Sequence, residues 1–399
     1  MRAIAVLPGK KGPHLIELPN PPRIGRGATE VERVVIKVKE VGISAIDRRI
    51  ASGEHFEPPK GATHFVLGHE MLGRVVDVEQ ADEQFTGGNE IHGINIGDLV
   101  VPQVRHGCGQ CIQCARGNTD YCLNGLYQER GIHQLDGFMS DYVMESARYL
   151  IKVPSDLEDV ALLLPSLAIA EKAVSMCINA KHAMDHPWPF PDHSYHFEDW
   201  GEGKAGVVWG GTDIAVLIAC LLVAGRMKTF LIADNPSGGT LASIVRDIGA
   251  VYVEQRGMDV HSIVREAGRI DMIYEASGSP AIDFQMTELM GRCCILTFTT
   301  TPAPGRAVNI DANGLMRQCV IGSQSLVGVS SASRQHYEQA LKSLRRLKEQ
   351  YGSAMKQIIT HRYDLMQYQA AFAEDGGEAI KSLLTFGDQA EIGAWPSKG

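Results

Sequence analysis

The chain has 399 residues, enough for two domains that each bury a core, and its 44% hydrophobic and 21% charged content with mean hydropathy −0.08 belongs to a globular protein rather than a disordered or membrane one. A net charge of −9 and a pI near 5.9 remove the positive footprint that phosphate-backbone binding needs, which argues against nucleic acid and for a small-molecule partner. No apolar run reads as a bilayer span, and Gly9-Lys10-Lys11-Gly12 interrupts any signal-peptide core within Met1 to Ile16, so the expected compartment is the cytoplasm.

From Met1 to about Pro154 the sequence is strand-rich and punctuated by turns, with Val34-Val35-Ile36-Lys37-Val38 and Gly73-Arg74-Val75-Val76-Asp77-Val78 as examples, and it predicts an irregular β domain. Within it Cys108, Cys111, Cys114 and Cys122 follow the spacing C-x2-C-x2-C-x7-C, with Gly107, Gly109 and Gly117 letting the backbone wrap one ion. In a reducing compartment four such thiolates suit tetrahedral zinc and close its coordination shell, which makes the site structural; an iron–sulfur cluster is the alternative. Lys181 to Lys204, with four histidines and three prolines, reads as a long connecting loop, its histidines facing solvent or, alternatively, binding a metal.

From Gly206 short apolar strands alternate with helical stretches: Val207-Val208-Trp209, Phe230 to Ala233, Val251-Tyr252-Val253, Met272-Ile273-Tyr274 and Cys294 to Thr297. This is the pattern of βαβ units on a doubly wound parallel sheet. Gly210-Gly211-Thr212-Asp213-Ile214-Ala215 joins the first of these strands to the helix Asp213 to Val223, a degraded G-x-G-x-x-G whose turn would bring a pyrophosphate to the helix N-terminus. The next strand ends at Asp234, where a carboxylate can accept both ribose hydroxyls; the following Asn235, Pro236 and Ser237 bring no arginine for a 2′-phosphate, so NAD is favoured over NADP. Asp234 as a plain turn cap is the bland alternative. Ser277 and Gly278 follow the fourth strand, on the side of the sheet where ligands bind. Ser333 to Gln350 predicts an amphipathic helix, and Ile358-Ile359-Thr360 and Ser382 to Phe386 predict strands returning to the first domain.

Gly68-His69-Glu70 and Asp47 complete a set of residues that resembles the zinc-containing medium-chain alcohol dehydrogenases, most closely the glucose (aldose) 1-dehydrogenases. The four-cysteine lobe, Glu129-Arg130-Gly131-Ile132 before Asp136-Gly137-Phe138-Met139, Glu171-Lys172-Ala173, and Leu326-Val327-Gly328 leading into Arg334-Gln335-His336-Tyr337 carry the same resemblance. It implies an α/β protein with a GroES-like catalytic domain (1–175, zinc lobe near 105–125), a Rossmann domain (176–328) and a C-terminal return (329–399). It further implies a homo-oligomer, dimer or tetramer, joined through sheet edges such as Gln318 to Val327, and NAD(P)-dependent oxidation of a sugar, polyol or other small alcohol.

Carried over by position, His69 is a catalytic-zinc ligand, Glu70 a ligand or its neighbour, Asp47 the carboxylate orienting His69, and Glu129 and Ser331 substrate contacts. The sequence departs from that pattern at Ser44, in the place of the first ligand, at Ile46, in the place of the proton-passing hydroxyl, and at Leu164, beside the position of the last ligand. With these departures the alternatives are a zinc-independent reductase of an activated carbonyl or alkene, with His69 a buried histidine satisfied by Asp47, and a catalytically inactive dinucleotide-binding homologue.

Overall fold

The computed structural model describes residues 1–21, 33–54, 57–78, 93–185, 200–279, 285–302, 305, 308–373 and 379–387. Its first body is built on β1 (Arg33–Ile43), whose Val34, Val35, Ile36, Val38, Val41 and Ile43 favour extended backbone and are buried. Ser44 ends the strand and caps α1 (Ala45–Ser52): its hydroxyl accepts from the amides of Ile46 and Asp47 at 3.0 and 3.3 Å, and Asp47 accepts the Ser44 amide at 2.9 Å. A reciprocal cap of this kind contributes on the order of 1 kcal/mol. β2 (Glu70–Val78), β3 (Leu99–Pro102), β4 (Tyr142–Ser146) and β5 (Leu150–Val153) complete the first pass, β4 pairing with Arg33–Lys37 of β1.

A 22-residue helix, α2 (Leu164–Asp185), leads into the second body. There β6 (Ala205–Trp209), α3 (Asp213–Ala224), β7 (Lys228–Ala233), β8 (Val251–Glu254), β9 (Met272–Glu275), β10 (Ile295–Phe298), α4 (Ala312–Gly322) and β11 (Ser325–Gly328) follow in turn. The six strands are parallel in the order β8-β7-β6-β9-β10-β11, so the direction of strand succession reverses between β6 and β9. In open parallel sheets the ligand crevice lies outside the strand C-termini where the order reverses, here between β6 and β9. Finally α5 (Arg334–Gln357) brings the chain back, and β12 (Ile359–Asp364) and β13 (Lys381–Thr385) join the first sheet, β13 antiparallel to Glu40–Ile43 of β1. That sheet runs β5-β3-β2-β1-β13-β12. One core fills the β-rich body; a second unites α2, α3 and α5 with one face of the parallel sheet.

Four expectations change. The boundary at 175 falls inside α2, an unbroken helix that packs with α3 and α5, so the chain leaves the β-rich body near Pro154 instead. Lys181 to Asp185 is the last turn of α2, not loop; His186, His193 and His196 lie outside the described residues. Gln318 to Gly322 is the end of α4, so only Ser325–Gly328 forms the sheet edge. Ser155–Met184 is long and apolar enough to cross a membrane by composition, yet its side chains are mostly buried in the protein's own core.

Candidate active site

At the crevice, Gly210 adopts φ 143°, and a Cβ there would meet the carbonyl oxygen of Ala276 at 2.7 Å, so glycine alone lets the turn after β6 pass the end of β9. Thr212 is the N-cap of α3 in extended conformation. Gly211 lies against Asn235, whose side-chain oxygen would be 2.5 Å from an added Cβ. Asp234 is exposed just past β7. Across the reversal, the Glu275 carboxylate accepts from the amides of Ser277 and Gly278 at 2.5 and 2.8 Å and from the Ser277 hydroxyl at 2.6 Å, which fixes that loop. Gly210, Gly211, Thr212, Ile214, Asp234, Asn235, Ser277 and Gly278 thus follow the C-terminal ends of β6, β7 and β9, at one end of the sheet, with two corrections. Arg246 donates to the carbonyl of Ser237 at 2.7 Å, so a guanidinium that is remote in sequence does stand beside the loop that follows Asp234. The Asp213 side chain is not open to a ligand: it is buried against Lys381 and Ser166 at 2.7 and 2.6 Å.

Facing this crevice, the β-rich body presents His69 and Glu70 at the start of β2. Asp47 is fully buried; its carboxylate accepts from the Gly68 amide at 3.0 Å and the Ser44 hydroxyl at 2.9 Å, and its Oδ1 lies 3.5 Å from His69 Nδ1, an ion-pair separation. Burial disfavours the imidazolium, but Asp47 and, less strongly, Glu70 outweigh it and push the His69 pKa up to about 9. Burial acts on Asp47 in the opposite sense, yet His69 and Ser44 hold its carboxyl below the ordinary value.

The sequence divides as the fold does. Residues 30–155 match the family described as "Alcohol dehydrogenase GroES-like domain" and residues 158–386 the one described as "Glucose dehydrogenase C-terminus". The chain belongs to the zinc-type medium-chain alcohol dehydrogenases. Among curated relatives it is 28% identical to glucose 1-dehydrogenase 2 of Vulcanisaeta moutnovskia over 96% of this chain and 99% of that one. It is also 28% identical to the glucose 1-dehydrogenase of Methanocella arvoryzae, over 97% and 100%. The crystal structure of Haloferax mediterranei glucose dehydrogenase in complex with NADP, Zn and gluconolactone superposes with a TM-score of 0.79 at 26% identity, covering 97% of this chain and 99% of that one.

For a medium-chain dehydrogenase the zinc-lobe cysteines fit their expected role. All four sulfurs lie within 4.8 Å of one another, and Cys108 and Cys114 are 3.8 Å apart, the edge of a tetrahedron with Zn–S bonds of about 2.3 Å. Amides of Cys111 and Cys114 donate to the sulfurs of Cys108 and Cys111 at 3.4 Å, which favours thiolate. Gly107 is required, because a Cβ there would sit 2.6 Å from the Cys114 sulfur.

The catalytic zinc is different: the donor set does not fit. Ser44 spends its hydroxyl on the α1 cap and on Asp47, Leu164 is apolar and buried, and Glu70 is ion-paired with Lys381. Among the described residues the four cysteines are the one group of three or more His, Cys, Asp or Glu ligand atoms gathered closely enough for an ion. His69 and Glu70 therefore do not form the metal centre the resemblance implies.

Glu129 is not a solvated carboxylate; it is 13% exposed and paired with Arg105 at 2.9 Å. Ser331 turns the chain between β11 and α5 at φ 48°, its buried hydroxyl without a partner among the described residues. Next to it the Ser330 carbonyl accepts from Lys172, which is buried and paired with Asp120 of the cysteine lobe at 2.6 Å. Lys172, Lys381 and Ser166 thus carry polar contacts across the two bodies that no local motif announces.

Proposed function

We propose that this chain is an NAD(P)-dependent dehydrogenase that oxidises a sugar or related polyol. The supporting observation is the convergence of the glycine turn at Gly210, the carboxylate of Asp234 and the buried His69–Asp47 pair on one crevice, in a chain whose relatives are glucose 1-dehydrogenases along nearly all its length. Asp234 stands where ribose hydroxyls are read, and that favours NAD. Arg246, nearby, is the cation that a 2′-phosphate would require if NADP were used. Cys108, Cys111, Cys114 and Cys122 hold one zinc, which ties their lobe together and leaves no position open to substrate.

In this reading the substrate's carbinol C–H gives hydride to the nicotinamide while its hydroxyl gives a proton to His69 in the neutral form; because, against the effect of burial, Asp47 raises the His69 pKa to about 9, that form and with it turnover should increase as pH rises toward 9. Asp47 fixes the imidazole and stabilises its charged form, while Glu129, held by Arg105, and the unpartnered Ser331 hydroxyl offer polar contacts to a polyol. The second reading, a zinc-independent reductase, is favoured by the capture of Glu70 by Lys381. The exposed Met316, Val320 and Ile321 of α4, with Leu326 on the edge strand β11, are the apolar surface that a second copy would cover.

The test is reduction of NAD and NADP by the purified protein against a panel of aldoses, polyols and simple alcohols, and oxidation of NADH and NADPH against activated carbonyls and alkenes, each repeated with His69→Gln. Aldose-dependent turnover that the variant loses at least a hundredfold supports the assignment. Turnover confined to activated carbonyls or alkenes transfers it to the reductase reading, and calorimetry showing no affinity for either nucleotide removes both.

A further inference from the structure

At the opposite end of the parallel strands from the glycine turn, α2, α3 and α5 enclose a second cavity of about 480 Å3, within the roughly 300–1,000 Å3 range of small-molecule sites. Its place follows from the direction of α3, which runs back from the turn until the Gly225 carbonyl at its end accepts the Gly201 amide at 2.9 Å, just before β6 begins. The walls are apolar: Val174 and Ile178 of α2, Leu221 of α3 and Leu347 of α5, with Trp200 beside the end of α3. Gly225 admits that indole, since a Cβ there would stand 2.4 Å from Trp200 Cε2.

Polar groups stand at two depths. Inside, Glu171 is 4% exposed and Ser343 6%, and Glu171 Oε1 has no hydrogen-bond partner among the described residues. Burial pushes the Glu171 carboxyl above its ordinary value, against Ser343 and Arg346, which draw it down. At the mouth, the exposed Arg226 and Arg346 line the cavity. Arg226 takes φ 61°, with its amide on the Val223 carbonyl at 2.9 Å and the next amide, of Met227, on the Leu222 carbonyl at 3.0 Å, a left-handed helix ending that glycine ordinarily provides. A strained residue kept at the mouth of a cavity points to a use for its side chain.

A buried carboxylate oxygen without a donor is unfavourable. The donor that suits it is a hydroxyl, because Arg346 already brings positive charge and an ammonium would have to shed its water. Two guanidinium groups at the mouth call for a carboxylate or a phosphate. The indole and aliphatic walls suit the C–H faces of the carbon skeleton between these ends.

We propose that this cavity is a second small-molecule site, separate from the crevice, for a hydroxylated organic anion of the sugar-acid or sugar-phosphate kind, its hydroxyls inward on Glu171 and Ser343 and its charged end on Arg226 and Arg346. The site is independent of which substrate the crevice turns over.

The test is calorimetry on the full chain with gluconate, sorbitol 6-phosphate, uncharged sorbitol and hydroxyl-free hexanoate. Gluconate or sorbitol 6-phosphate should bind at least tenfold more tightly than sorbitol and hexanoate, and the tighter of the two identifies the anionic end. Because either could also enter the crevice, the titrations are repeated with Arg226→Gly, which relaxes the left-handed turn, and with Arg346→Gln. Each variant should weaken the bound anion by about tenfold, the scale of one charged hydrogen bond, with NAD and NADP affinity unchanged. Glu171→Leu should erase the preference over hexanoate. Should that buried variant fail to fold, the two exposed ones still decide. The proposal is overturned if neither hydroxylated anion is preferred, or if both arginine variants bind it as tightly as the wild type, which would seat it elsewhere.

Discussion

Acid sensitivity centred on Glu145 offers a quantitative check on the electrostatics of the β-rich body. Glu145 is buried; its Oε2 lies 2.9 Å from Arg130 Nε and 3.3 Å from His106 Nε2, while its Oε1 accepts the Ser146 amide at 2.7 Å. Burial opposes ionisation, but Arg130 first and His106 next overcome it and lower the carboxyl from 4.5 to about 2. A folded-state pKa below the unfolded one means that the contribution is complete above pH 4.5 and disappears as pH falls through about 2. With 1.36 kcal/mol per unit, the shift corresponds to about 3 kcal/mol.

Replacing Glu145 by Gln removes this linkage and leaves Arg130 buried without its counter-charge. Urea-induced unfolding of wild type and Glu145→Gln, from pH 7 down to the lowest pH that leaves the wild type folded, should show a stability gap of about 3 kcal/mol at neutrality that narrows steadily below pH 4.5. A gap independent of pH refutes the reasoning. The effect should reach the active site as well. Arg130 follows Glu129 and precedes Gly131, where a Cβ would meet the Gly68 carbonyl oxygen at 2.5 Å, so loosening Arg130 loosens the shelf behind His69.

Two glycine substitutions test the other sites. Gly210→Ala forces a side chain into the Ala276 carbonyl at a backbone angle costing about 1–3 kcal/mol, and nucleotide affinity measured by calorimetry should fall at least tenfold with little change in the zinc lobe. Gly107→Ala pushes on the Cys114 sulfur, so zinc should be released to a competing chelator at lower chelator concentration than from the wild type, while nucleotide binding is retained.

The parallel sheet was legible because each of its inner strands is an apolar run buried on both faces, as with Val207, Val208 and Trp209, and because glycine and aspartate punctuate the turns. The cysteine lobe was legible because its ligands are close in sequence. The departure at Ser44 was legible but its local role was not: Ser44 and Asp47 are spaced as a helix cap, and the cap takes the hydroxyl. Lys381 was not legible at all, since it meets Glu70 across 311 residues of chain and only the return of β13 beside β1 joins them. Lys172 with Asp120 and Arg246 with Ser237 were hidden similarly, by contacts that follow from tertiary packing rather than from any local pattern.

The path of the chain has a mechanical consequence. It passes from the β-rich body to the nucleotide-binding one once before α2 and comes back once through α5 and β12, so the second body is hung from the first by two covalent attachments. Any parting of the two bodies must also break the buried contacts of Ser166 with Glu70 and of Lys172 with Asp120, so the two crossings and this junction together fix the spacing between the His69 and Gly210 walls.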